Sequence, residues 1–209
     1  MDGAEWRDPE FADRYLERDG GFPHLAEGDD VLRDQIPRDA TRVLDLGTGD
    51  GRLLRLLRAD GREFEAVGLD GSRHMLDTAR ERIGDAFAVE LVHHDLAQPL
   101  PDLGTFEAIV SSFAIHHLEH ERKAALYAEA FGLLAPGGVF ANLEHVASPT
   151  QRLHEAFFAA IDEPLECEDP SDRTIDVESQ LEWLRDAGFT DVDCYWKWLE
   201  MALLIGVKP

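Results

Sequence analysis

The chain has 209 residues with 44% hydrophobic and 30% charged content, the balance of a single globular domain that can bury a core without staples. Its 43 acidic against 20 basic side chains give a formal net charge of −23, the opposite of the basic footprint that phosphates need, which argues against DNA and tRNA as partners although a local basic patch stays open. No apolar run approaches the roughly 20 residues that span a bilayer, so no membrane partner is expected.

The opening MDGAEWRDPE is acidic and lacks an apolar signal core, and Cys167 and Cys194 form no CxxC pair. Both features lead to the expectation of a cytoplasmic protein with reduced thiols. Residues 1–40 read as a helical cap, PEFADRYLER and then LAEGDDVLRDQI, broken around Gly20, Gly21 and Pro23. From residue 41 short apolar runs of strand length alternate with helical patterns. The strands are RVLDLG (42–47), EAVGLD (65–70), VELVHHD (89–95), FEAIVSSF (106–113) and GVFANLEHV (138–146). Between them GRLLRLLRAD, SRHMLDTARERI and EHERKAALYAEAFGLL repeat apolar residues every three or four positions, and APGG at 135–138 is expected to end the last of these helices.

Such alternation builds right-handed βαβ units and a doubly wound α/β sheet over residues 41–147. An insertion follows at 148–175, a helix QRLHEAFFAAID and then an acidic, Pro-containing loop. Residues 176–209 hold a helix stopped by Gly188 and two strands, DVDCYWKWLE and MALLIGVKP, whose short connection predicts antiparallel pairing. The whole is read as one domain, 1–209. Arg52, Arg55 and Arg58 are expected on a solvent-facing helix side.

The chemistry-bearing stretch is VLDLGTGDGRL at 43–53. A Gly-rich turn between a buried strand and a helix lets a ligand approach the backbone. A dinucleotide turn needs GxGxxG, but the third Rossmann position here is Arg52. Asp45, two residues ahead of the first glycine, would repel a pyrophosphate and suits a ligand carrying an ammonium group.

The stretch Asp45-Leu46-Gly47-Thr48-Gly49-Asp50-Gly51 resembles the DxGxGxG motif of the class I S-adenosylmethionine (SAM) dependent methyltransferases. Five further signatures fall in that family's order: GLDGS, HHDL, SSFAIHHL, LLAPGG and LRDAGF. The resemblance implies a Rossmann-like, seven-stranded sheet with an antiparallel C-terminal strand and an N-terminal helical cap. It implies SAM as cofactor, held by Asp45, Gly47, Thr48, Gly49 and Gly51 in the turn. Further contacts would come from Asp70 and Gly71 at the ribose, Asp95 and Leu96 at the adenine, Ser112 after the fourth strand, and Tyr15 from the cap.

By the same resemblance, His116 matches the general base of plant-type small-molecule O-methyltransferases, with His145 and Glu144 as further pocket-facing options. His117 and His120 rank below them. The partner expected is a small-molecule methyl acceptor with an oxygen nucleophile, shaped by aromatic residues of the cap (Trp6, Phe11, Tyr15, Phe22, His24) and the insertion (His154, Phe157, Phe158). A homodimer is left open. No zinc-type Cys/His spacing and no carboxylate trio stands out, so no metal is expected. The layout also resembles the carboxy-SAM-dependent tRNA uridine modification enzymes, whose insertion arginine falls here at about Leu165, with Arg173 the nearest arginine. A dehydrogenase with NAD and a non-catalytic SAM-binding module are the remaining alternatives.

Overall fold

The computed structural model describes residues 22–59 and 61–209; Trp6, Phe11, Tyr15 and the expected first cap helix lie outside the described residues. Seven strands form one sheet: β1 (Arg42–Leu46), β2 (Glu65–Asp70), β3 (Val89–His93), β4 (Phe106–Ser112), β5 (Leu134–His145), β6 (Thr190–Trp198) and β7 (Met201–Val207). Six α-helices accompany them among the described residues: α1 (Leu25–Gln35), α2 (Arg52–Arg58), α3 (Arg73–Ile83), α4 (His120–Leu133), α5 (Gln151–Ala160) and α6 (Val177–Ala187).

The strand order is β3-β2-β1-β4-β5-β7-β6. β1 to β5 run parallel, and β7 is antiparallel to both of its neighbours. The chain winds outward from β1 in both directions, so β1 and β4 flank the switch point where open α/β sheets bind ligands at their carboxyl edge.

Strand pleating sends alternate residues to opposite faces, and two cores result. On β1, Val43 joins Leu32, Leu54, Leu57 and Leu203 on one face. Leu44 and Leu46 join Leu126, Tyr127, Phe140 and Leu184 on the other. Helix ends are set by local chemistry. Thr150 and Asp176 accept backbone N–H bonds from Leu153 and Ser179, fixing the starts of α5 and α6. Gly188, at φ +106°, stops α6 in the left-handed conformation that a glycine adopts without strain.

The structure corrects the sequence reading at APGG. β5 starts at Leu134 rather than after the glycines, pairing Leu134 with Phe106 before a register shift. Gly137 N–H donates to Lys208 O at 2.7 Å, so the Pro-Gly-Gly segment is a bulged strand start secured by the chain's end. Lys208 Nζ in turn donates to the carbonyls of Phe131 and Leu134, satisfying the last turn of α4.

Candidate functional site

The glycine turn joins β1 to α2 at the switch point. Gly47, Gly49 and Gly51 all have positive φ, at +73°, +53° and +77°. At Gly47 the reason is also spatial: a Cβ there would overlap Ala114 Cβ, which packs into the turn. The turn is anchored to β2, where Leu69 O accepts from the N–H groups of Gly47 (2.9 Å) and Thr48 (2.8 Å). Gly68 makes room for the Thr48 side chain, whose hydroxyl donates to Asp45 Oδ2 at 2.8 Å.

Asp45 Oδ1 is buried and has no hydrogen-bond partner. Burial raises its pKa from 3.8 to about 7, against the opposing effects of Thr48 and Arg52. A buried acceptor left bare above three glycines fits a ligand that brings a cationic donor, and that is the test the residues pass for the ammonium end of SAM. Asp70 ends β2 and braces the same turn, Oδ2 accepting from Gly49 N–H at 2.9 Å and Oδ1 from Ser72 N–H at 2.7 Å. Burial raises its pKa, with those two bonds opposing. Each of its oxygens keeps a lone pair for a hydroxyl.

Asp95 follows β3, turns its own loop by accepting from Ala97 N–H at 2.9 Å, and sets the buried Leu96 in the core formed around Leu44 and Leu46. Gly71 O bonds His93 Nε2 at 3.0 Å, tying β2 to β3. Ser112 is placed differently from the expectation. Its hydroxyl accepts from Arg52 Nη2 at 2.8 Å, and Arg52 also makes a two-pronged pair with Asp29 of α1. Arg55 pairs with Asp50, and Arg58 donates to the carbonyls of Arg62 and Phe64 while lying over the Phe64 and Phe87 rings. The three arginines are therefore engaged in the fold instead of facing solvent as a row.

Directly after Ala114, the 3-10 turn Ile115–His117 opens a cluster that the sequence did not reveal as one unit. His116 is buried and bonds Glu144 Oε1 through Nδ1 at 2.7 Å, while Nε2 lies 3.5 Å from Asp172 Oδ1. His117 Nδ1 lies 3.3 Å from the same oxygen and 3.0 Å from Ser171 Oγ. His145 bonds Asp172 Oδ2 through Nδ1 (3.2 Å) and Glu200 Oε2 through Nε2 (3.1 Å), and His154 Nδ1 reaches Glu200 Oε1 at 3.0 Å.

The electrostatics sort these rings. Burial alone would lower the pKa of His145, but Asp172 and Glu200 outweigh it and raise it to about 9. His145 is then an imidazolium with both nitrogens donating at neutral pH, and carries no lone pair for the base role expected of it. His117 is driven down to about 4, first by burial and then by neighbouring His116. Glu144 is fully buried, yet His116 and Lys123 hold its pKa below the usual range. Of the two expected bases, only His116 combines a held Nδ1 with an Nε2 that offers a lone pair.

Of the aromatic residues expected from the cap and the insertion, those among the described residues come together beside this cluster. Phe22 stacks on Phe113 (ring centroids 5.6 Å apart), His24 lies against Trp198, and Phe157 packs between His145 and Trp198. His120 faces Trp183 instead. Asp172, Glu200, Asp29 and Lys123 were missed by sequence reasoning. Each is an isolated residue of ordinary type, and only the tertiary fold gives it a partner.

A family profile described as a methyltransferase domain matches residues 43–138. The chain is 36% identical over 130 residues to the trans-aconitate 2-methyltransferase of Methylobacterium radiotolerans, covering 60% of this chain and 47% of that protein. It thus spans about half the length of that relative. It is 30% identical over 191 residues to the demethylmenaquinone methyltransferase of Clavibacter sepedonicus, covering 81% of this chain and 76% of that protein. Among solved structures, the magnesium protoporphyrin IX methyltransferase of Synechocystis PCC 6803 with bound S-adenosylhomocysteine (SAH) has the same fold, with a TM-score of 0.67 at 17% identity over 98% of this chain and 96% of that one.

Proposed function

Because the chain belongs to the class I SAM-dependent methyltransferases, we propose that it moves the methyl group of SAM to an oxygen of a small-molecule acceptor. When bound, SAM supplies an electrophilic methyl on a sulfonium; the protein's part is to align, desolvate and activate the acceptor. Gly47, Thr48, Gly49 and Gly51 with Asp45 would hold the amino-acid end, Asp70 and Gly71 the ribose, and Asp95 and Leu96 the adenine. Ser112 supports the site by fixing Arg52, which braces α1 against the turn.

One observation carries the oxygen assignment. His116 stands two residues from the Ala114 that fills the Gly47 turn, with its tautomer set by a 2.7 Å bond to a fully buried Glu144. A histidine oriented by a buried carboxylate beside the methyl donor's turn is suited to activating a hydroxyl or acid. The small-molecule class is supported by the names of the two relatives and by the acidity of the chain.

The tRNA reading is weaker. Leu165 is an exposed leucine where the carboxy cofactor would need an arginine, and Arg173 is spent on Glu119 and the carbonyls of Pro170 and Asp172. The dehydrogenase reading fails to account for Arg52, whose pairing with Asp29 occupies the third glycine's place.

The test is calorimetry with SAH, carboxy-SAM and NADH, followed by turnover assays on small hydroxy and carboxylic acids. SAH binding that survives His116→Ala, with turnover lowered by about 10²-fold or more, is the expected result. Binding of NADH alone, or full turnover by His116→Ala, would overturn it.

A further inference from the structure

The geometry points to a divalent transition-metal site formed by His116 Nε2, His117 Nδ1 and Asp172 Oδ1, with a fourth position left for an acceptor oxygen or water. Ligand atoms of these three residues all lie within 4.8 Å of one another. The distances are informative. Around zinc, nitrogen and oxygen ligands at about 2.0–2.2 Å stand roughly 3.3–3.5 Å apart along the edges of a tetrahedron. Asp172 Oδ1 lies 3.5 Å from His116 Nε2 and 3.3 Å from His117 Nδ1. Both separations exceed the about 2.7–2.9 Å of a charge-assisted hydrogen bond, and the oxygen, though buried, makes no hydrogen bond at all. An acceptor poised between two imidazole nitrogens at edge distance has room for an ion, provided the Ser171 hydroxyl, 3.0 Å from His117 Nδ1, turns aside.

The surroundings have the form that metal sites need. Glu144 takes the Nδ1 of His116 at 2.7 Å, which leaves Nε2 as the lone-pair nitrogen; Asp172 Oδ2 is held by His145 at 3.2 Å, which aims Oδ1 inward. Carboxylate–histidine and histidine–carboxylate braces of this kind orient ligands and raise their basicity. Three buried or nearly buried carboxylates, Glu144, Asp172 and Glu200, converge on the cluster. Lys123 and His145 lie among them. Two imidazoles and one carboxylate suit zinc or a neighbouring first-row cation, whereas magnesium and calcium prefer oxygen alone. Sequence spacing hides the site because Asp172 lies in the insertion loop, far along the chain from the histidine pair.

The ion's use rests on the methyl-transfer reading above but takes the place of His116 as base, whose Nε2 lone pair it would hold: the ion would bind the acceptor oxygen and lower its pKa, so that the hydroxyl proton leaves to solvent before the oxygen attacks. Its existence does not rest on that reading, and the experiment separates the two. The full-length chain, stripped with a chelator, is titrated with Co²⁺ alone while visible absorption and histidine ring-proton shifts are recorded, and SAH binding is measured on the same preparation. One equivalent of Co²⁺ with strong tetrahedral bands and two hyperfine-shifted histidines, displaced by Zn²⁺, is expected. Asp172→Asn and His117→Gln lose that uptake while still binding SAH, and Glu144→Gln weakens it by about tenfold or more. Should those variants fail to fold, the wild-type spectrum decides: no stoichiometric uptake, or only weak octahedral bands, overturns the site. SAH binding without cobalt uptake removes the metal and leaves the methyl-transfer reading standing; cobalt uptake without SAH binding does the reverse.

Discussion

Asp45 sits in the middle of the sheet with one oxygen on Thr48 and the other bare, and burial has lifted its pKa from 3.8 to about 7. In the unfolded chain it ionises near 3.8, so between pH 4 and 7 the folded state keeps a proton that the unfolded state gives up. A raised carboxylate pKa therefore costs nothing below pH 3.8, and its destabilising effect grows as pH rises, reaching full size above 7. Asp45→Asn is expected to flatten the stability profile across that window and to gain on the order of 1–3 kcal/mol at pH 8, read by urea unfolding. The same proton reports the ligand. An ammonium beside Asp45 favours the charged form, so SAH binding at pH 6.5 releases protons, measurable by calorimetry in buffers of different ionisation heat. Equal proton release by wild type and Asp45→Asn would remove Asp45 from the ligand's cationic end. Gly47 offers a second residue-scale test. Gly47→Ala drives a methyl into Ala114 and abolishes SAH binding; adding Ala114→Gly restores part of the loss, because only the backbone strain at φ +73° then remains.

At the scale of elements, the insertion loop between α5 and α6 is what completes the histidine cluster, and it is fastened from beneath. Lys123 on α4 is 1% exposed and donates to Arg173 O, while Arg173 N–H donates to His116 O at 2.9 Å. Lys123→Met leaves the Arg173 carbonyl buried without its donor, a loss of about 1–3 kcal/mol. Hydrogen exchange should rise across residues 164–176 while β1 and β2 stay protected; uniform protection would show that the loop is held by other means. This fastening also explains what was legible in the sequence. The strands, the glycine turn and the helix stop at Gly188 were readable because each is specified by neighbours along the chain: pleat alternation, a run of glycines, a left-handed cap. The acids at or just past the carboxyl ends of β1, β2 and β3 were readable for the same reason. The Arg52–Asp29 pair and the Asp172–His116 contact were not, since helix α1 and the insertion loop reach the sheet edge only through tertiary packing. APGG misled because Pro and Gly punctuate helices and bulged strand starts alike, and only pairing with Lys208 decides between them.

The molecule as a whole carries 43 acidic and 20 basic side chains. Much of the positive charge is consumed locally: Arg55 and Arg82 on Asp50, Arg122 on Glu129, Arg62 on the carbonyls of Arg33 and Ile36. What remains is an acidic surface whose self-repulsion opposes the compact state and is relieved by screening. The Debye length shrinks from roughly 10 Å at 0.1 M salt to about 3 Å at 1 M, shorter than the spacing between most neighbouring surface charges. Thermal unfolding in NaCl is therefore expected to shift upward by about 5 °C between 0.05 and 1 M, with most of the gain at the low end where screening changes fastest. A stabilisation caused by salting-out would instead grow steadily at high salt and be larger in sulfate than in chloride at equal ionic strength. A flat or falling Tm in the low range would mean that the buried and local ion pairs, which salt weakens, outweigh the surface repulsion.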